Sequence, residues 1–197
     1  MNLLTNYKLI NDTFDSLTET VLINDEPQQA IIGTAYLGTV ENRHISSLQS
    51  FKRGDYVKHR NHLYIVNEEV KTPRHNKYRA TMTSCNISIE VRDYLGKIKV
   101  DTDDMGRPIY KEQYGEPYLI HGAMKQWERK MEDQFAFRMM EISFFIDVQD
   151  TPKNREQFKV NNVYTINGMG VSVALQDLSQ DGLIGLLFLK TGTTPPY

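Results

Sequence analysis

Cysteine is almost missing from this chain of 197 residues: Cys85 stands alone, so no internal disulfide can hold the fold and no oxidising compartment is required. No apolar run approaches the ~20 residues needed to cross a bilayer. The N-terminus lacks the basic and apolar regions of a signal peptide, so a soluble protein made inside the cell, with no membrane partner, is expected. Net charge is also nearly absent, at −2, which removes bulk attraction to nucleic acid or an anionic surface. There is no G-x-S-x-G, no P-loop and no glycine fingerprint after a strand. The histidines are scattered, and His59 and His62, three apart across a turn, would not face one metal as they would on a helix. A non-enzymatic protein with no cofactor and no metal site is expected.

What the chain does contain is strand signals. Phe51 to Asn86 reads as three strands: Tyr56-Val57, then Leu63 to Val66 after the turn Arg60-Asn61-His62, then Tyr78 to Met82. β-branched and aromatic residues alternate there between short turns. Upstream, Thr20 to Ile23 and Gln29 to Ile32 flank the turn formers Asn24 to Pro27 and predict a hairpin. Glu41 to Ser47 reads as a polar lead-in, and Asn86 to Val91 alternates as a strand. Leu3, Tyr7, Ile10, Phe14, Leu17 and Val21 make one helical stripe, which can dock on its own domain or on a neighbouring subunit.

Beyond Val91 the pattern changes. Arg92 to Gly96 reads as a turn and Lys97 to Val100 as a short strand. Asp101 to Pro117, with Gly106, Pro108 and Gly115, reads as a long loop or extended hairpin and as the boundary between two halves. Tyr118 to Ile120 predicts a strand, Ala123 to Gln134 a helix, and Phe144 to Ile146 a buried strand. Val163 to Ile166, Asn167-Gly168 and Val171 to Leu175 predict a further hairpin, and Leu183 to Leu189 the most apolar strand. QSFKRGDYV with LYIV in the first half is echoed by QFKVNNVY with VSVAL in the second. The expected fold is mainly β: two small antiparallel β-barrel or sandwich-like units with an N-terminal helix. The expected division is helix 1–20, first β unit 21–100, polar boundary 101–117, second β unit 118–190 and extended tail 191–197.

Two features bear on binding. Lys52 to Arg79 holds eight Lys and Arg against Asp55, Glu68 and Glu69, with Tyr56, Tyr64 and Tyr78 interleaved. Lys52, Arg53, Lys58, Arg60, Lys71, Arg74 and Lys77 on its turns are candidate contacts to a protein partner or to DNA. On a small barrel, basic residues beside aromatics can also bind single-stranded nucleic acid. Asp101, Asp103, Gly106 and Glu112 match part of a calcium-loop spacing, but Met105 stands where an oxygen ligand belongs, and a solvated acidic turn is the expected reading.

Phe51-x-x-Gly54-Asp55-Tyr56-Val57, Leu63 to Val66, Lys77-Tyr78-x-Ala80-x-Met82-x-x-Cys85-Asn86 and Asp93-x-x-Gly96 resemble structural proteins of tailed bacteriophages and prophages of Gram-positive bacteria. Ile146-x-Val148-x-x-Thr151, Gln157 to Val160 and Gly182 to Ile184 extend the resemblance over roughly residues 45–190. The resemblance implies a β-barrel subunit of a ring at the virion neck, a head-closure or head–tail connector protein. Its partners would be further copies of itself, other neck, portal and tail proteins, and DNA in the channel. The implied location is the virion, after synthesis in the host cytoplasm. The alternatives are a nucleic-acid-binding barrel and a tail or baseplate component.

Overall fold

A computed structural model describes residues 12, 14–37, 40–72, 77–125, 142–192 and 195. The first six strands are β1 (Glu19–Ile23), β2 (Glu26–Leu37), β3 (Glu41–Ser47), β4 (Tyr56–His59), β5 (His62–Val66) and β6 (Tyr78–Ser84). They form a closed antiparallel barrel in the order β1-β2-β3-β6-β5-β4. Leu22 opposite Lys58 and Ile23 opposite Val57 join the first and last strands. Asn24 and Asp25, both at positive φ, make the two-residue turn between β1 and β2. Val21, Ile23, Ala30, Ile45, Val57, Tyr64, Val66 and Met82 fill the interior, capped by Phe51. Glu41–Ser47, read from sequence as a polar lead-in, is instead a barrel strand. Its Ile45 and Ser47 are fully buried and Ser46 on the opposite face is buried too, while the polar residues Glu41 to His44, which masked the alternation, are half-buried on both faces.

β7 (Ile87–Val91), β10 (Tyr118–Lys125), β11 (Ile142–Gln149), β12 (Val163–Ile166), β13 (Met169–Asp177) and β14 (Leu183–Lys190) form a second six-stranded sheet. Its order is β12-β13-β14-β11-β10-β7, and its edge strands β7 and β12 curl back beside one another without a ladder between them. β8 (Tyr94–Thr102) and β9 (Pro108–Tyr114) pair only with each other. A short helix α1 (Pro152–Gln157) precedes β12, with Thr151 as N-cap accepting from Asn154 N at 3.0 Å. Apart from it, the described residues hold only a helical turn around Phe14 to Leu17. The rest of the expected N-terminal helix lies outside the described residues.

Setting the β8–β9 hairpin aside, the two sheets have one topology. In chain order the second sheet reads β7, β10, β11, β12, β13, β14, and its spatial order is the 1-2-3-6-5-4 of the first. The sequence echo falls on equivalent places. Phe51 and Phe158, Gly54 and Asn161, Tyr56 and Val163, and Arg60 and Asn167 are separated by the same interval along the chain. β4 and β12 share one alternation of buried and exposed residues. Gly54 N donates to Val66 O (2.8 Å) and Val66 N to Asp55 O (3.0 Å); Asn161 N donates to Val173 O (2.8 Å) and Val173 N to Asn162 O (2.9 Å).

The change of sheet falls between Ser84 and Ile87, not at 101–117. Ile87–Val91, assigned from sequence to the first unit, is the first strand of the second sheet. Residues 101–114 belong to a hairpin inserted between the second unit's first two strands, and 115–117 lead from it into β10. A strand's own pattern cannot say which sheet will take it, since Ile87, Ile89 and Val91 would suit either core. The expected helix from Ala123 begins as strand, because Ala123 to Lys125 pair with Asp147 to Phe145; its remainder lies outside the described residues.

The units meet through the outer faces of β4 and β5 on one side and of β10 and β14 on the other. Ile65, Ala123 and Leu183 form a small buried cluster with Tyr56 and Cys85 against it. Tyr56 Oη donates to His121 O at 2.5 Å. Gly54 (φ 86°) and Gly182 (φ 83°) sit where the two backbones touch. A Cβ on Gly54 would fall 1.7 Å from Gly182 O, and one on Gly182 would fall 2.1 Å from Arg53 O. Glycine is required at both positions.

Candidate interaction surfaces

The basic residues singled out from sequence do not converge on one face. Antiparallel alternation puts the β3–β4 and β5–β6 links at one end of the first barrel and the β4–β5 turn at the other. Lys52, Arg53, Lys71 and Lys77 therefore belong to one end and Arg60 to the opposite one, while Lys58 projects outward from β4. Lys52 and Lys71 are exposed. Arg53 is half-buried, its carbonyl against Gly182. Arg60 lies 3.6 Å from Glu19, which also meets the buried His59 at 2.8 Å. The hydrogen bond from His59 is the main cause that holds the Glu19 carboxyl below its usual value. Lys77 Nζ sits over the Phe14 ring, 5.4 Å from its centre. Arg74 lies outside the described residues.

The interleaved tyrosines are committed to packing. Tyr64 is fully buried in the barrel, Tyr78 packs edge-on against Phe51 at 6.5 Å, and Tyr56 is taken up by the second unit. Burial raises the Tyr56 hydroxyl, and it pushes the Cys85 thiol up to about 12, which keeps that cysteine a thiol at neutral pH. Tyr56 and Tyr64 are thus withdrawn from the kind of aromatic platform that single-strand binding uses.

A network the sequence reading missed ties the hairpin to the second unit. Asp93, just before β8, accepts from Tyr118 Oη (2.8 Å) and Gln157 Nε2 (2.7 Å) and lies 3.0 Å from Lys153 Nζ. These bonds, the Tyr118 one first, hold the Asp93 carboxyl low. Lys153 Nζ also lies 3.7 Å from the centre of the Tyr118 ring, a cation–π contact. Its members come from β10, α1 and the β7–β8 link, so only the tertiary structure brings them together. The signal available in sequence was the capped Thr151-Pro152 helix start ahead of Lys153 and Gln157. Beside the network is a cavity of about 480 Å³, lined by Arg92, Tyr94, Glu112, Gln157 and Tyr164 among others.

That cavity occupies the place in the second unit that corresponds to the β1–β4 seam of the first barrel. There Asn24 N donates to Tyr56 O (2.9 Å), Tyr56 N to Asn24 Oδ1 (3.0 Å) and Asn24 Nδ2 to Asp55 Oδ1 (2.8 Å). In the second unit Arg92, Asn162 and Val163 take the places of Asn24, Asp55 and Tyr56. The chain runs on into the hairpin instead of turning back.

The hairpin projects from this base. Gly115 N donates to Asp93 O (2.8 Å), and Tyr94 and Tyr114 stack edge-on at 5.7 Å. Asp101, Asp103 and Glu112, the partial calcium pattern, serve the hairpin itself. Asp101 accepts from Thr102 N (2.7 Å), Asp103 from Met105 N and Arg107 N (3.0 and 2.7 Å), and Glu112 faces Lys97 at 3.9 Å. Among the described residues no three acidic, His or Cys side chains gather as a metal site.

Residues 2–84 match the family model of the YomX N-terminal domain, a phage-derived domain of Bacillus prophage type. The match ends at Ser84, the last residue of β6, and so takes in the whole first barrel. Neither the curated proteins nor the solved structures searched gave a match. The first part of the chain is therefore similar to a phage-derived domain, which suggests a phage protein.

Proposed function

We propose that this chain is a non-enzymatic structural subunit of a tailed-phage virion, working in a ring at the neck that joins portal to tail and closes the DNA channel. The observation that carries this reading is the match of a phage-derived domain to one complete barrel of a two-barrel chain. The physical support is of the same kind. A closed barrel and a second six-stranded sheet pack closely through paired glycines, and a long hairpin reaches out from them. Projecting strand edges are suited to symmetric assembly. In this reading the exposed Lys52 and Lys71 meet an acidic neighbouring protein, and DNA in the channel is a further contact.

Mass spectrometry of purified virions tests the reading, followed by cryo-electron microscopy to locate the chain. Its presence at the neck is expected. Its absence from virions would sink the proposal and favour a free nucleic-acid-binding barrel, whereas density in the tail or baseplate would move it there. Reversing charge with Lys52→Glu and Lys71→Glu should leave the melting temperature unchanged and weaken incorporation. Normal incorporation would make those turns solvated surface only.

A further inference from the structure

The β8–β9 hairpin is larger and more apolar than the fold requires. At the same place in the first barrel two residues, Asn24 and Asp25, suffice. Of the thirteen large apolar side chains exposed among the described residues, seven lie on the hairpin: Tyr94, Leu95, Ile98, Val100, Met105, Ile109 and Tyr110. Met105 at its tip is 76% exposed. No other described strand pairs with β8 or β9, so both edges present unused backbone donors and acceptors. An isolated two-stranded sheet is marginal in water, and apolar patches of this kind mark contact surfaces.

We propose that this hairpin joins copies of the chain, the β8 edge of one copy hydrogen-bonding to the β9 edge of the next. Charge selects this arrangement. Lys97 pairs with Glu112 and Lys99 with Tyr110, so all four share one face, while Ile98, Lys111 and Ile109 share the other. Setting β8 beside a neighbour's β9 brings Lys97 and Lys99 next to Glu112 on one face and Ile98 next to Ile109 on the other. A two-fold β8–β8 pairing centred on Ile98 would set Lys97 against Lys99, and β9–β9 pairing centred on Lys111 would set that lysine against its copy; like charges directly opposite destabilise a sheet. From Tyr94 to Tyr114 four basic and four acidic residues cancel, so stacked copies do not repel. The bulges that shift register after Tyr94 and Lys99 restrict which pairings fit and guard against indiscriminate edge association. Contact between unlike edges repeats from copy to copy, and it closes as a ring where the rotation between copies adds up to a full turn.

This deepens the ring reading above and rests on it, so the tests are chosen to separate the two. In a Cys85→Ala background, Lys97→Cys and Glu112→Cys chains are oxidised alone and mixed, at full length. The mixture is expected to give a disulfide-linked pair several-fold more abundant than either variant alone. Equal crosslinking of a single variant with itself, or none in the mixture, would overturn the proposal. Independently, Ile98→Asp with Ile109→Asp should lower the mass found by light scattering while the melting temperature holds; unchanged assembly would overturn it. Hairpin-dependent assembly of a chain missing from virions would fail the neck reading alone. Virions that take up the Ile98/Ile109 variant normally would fail the hairpin proposal alone.

Discussion

The first barrel is closed by strand pairing and the second is not, although both have the same strand order. The difference lies in the link between each unit's first two strands. In the first, Asn24 and Asp25 reverse the chain in two residues, and the Asn24 side chain clasps β4. In the second, the same link is lengthened into a hairpin, Arg92 stands in the place of Asn24, and Asp93, Tyr118, Lys153 and Gln157 tie the base of that hairpin to β10 and α1. A closed barrel hides all its edges, whereas the hairpin exposes two. One copy of the fold closes its seam by strand pairing, and the other leaves its seam open where the hairpin that we propose as an assembly element is inserted.

The cores differ in the same direction, and substitutions at equivalent positions sharpen the contrast. Phe188, stacked edge-on with Phe158 (6.4 Å) and Tyr164 (6.2 Å), takes the place of Met82. Phe188→Ala should cost about 3–5 kcal/mol and Met82→Ala about 2–4, read as urea midpoints. At the contact between units, Gly182→Ala should cost roughly 2–4 kcal/mol, since its Cβ meets backbone at a positive φ. Asn161→Ala, at the second unit's equivalent of Gly54, should cost only about 1 kcal/mol. Equal losses at the two positions would show that the glycines do not hold the units together.

Ile65 is buried against the second unit, while its equivalent, Ser172, is half-exposed. Ile65→Ser should cost about 2–3 kcal/mol and separate calorimetric unfolding into two transitions. Ser172→Ile should stay within about 0.5 kcal/mol.

The smallest effect is in pH. Asp147 is nearly buried beside Lys125 (2.5 Å), and desolvation raises its carboxyl above the ordinary 3.8 despite that partner. Its folded form holds the proton more tightly than the unfolded chain. Its contribution to stability is therefore full below about 4 and is lost as pH rises through the higher folded value. Asp147→Asn, which cannot titrate, should gain on the parent as pH rises from about 4; a constant difference in urea midpoints would refute this. Ser46 stands at the equivalent place in the first barrel, which should show no such trend.

Much of the fold was legible in the residues. The strand positions around Tyr56, Leu63, Tyr78, Ile87 and Val163 follow from alternation, and the turns at Asn24 and Asn167 from residues that tolerate positive φ. The candidate surfaces were far less so. The basic turns formed one cluster in sequence, but strand reversal sends Arg60 to the far end of the barrel. The exposed hairpin read as a polar boundary because its charges outnumber the apolar residues that it fails to bury.

By itself the sequence determined a β-rich chain, with neither disulfide nor long apolar run, that repeats one pattern twice. Those features depend on spacing along the chain, which local sterics and side-chain alternation convert directly into strands and turns. Only the tertiary structure decided which sheet receives Ile87–Val91, that Gly54 meets Gly182, and that the first barrel closes while the second stays open. Each of these depends on surfaces distant in sequence competing for the same partner, and no local pattern records the outcome of that competition.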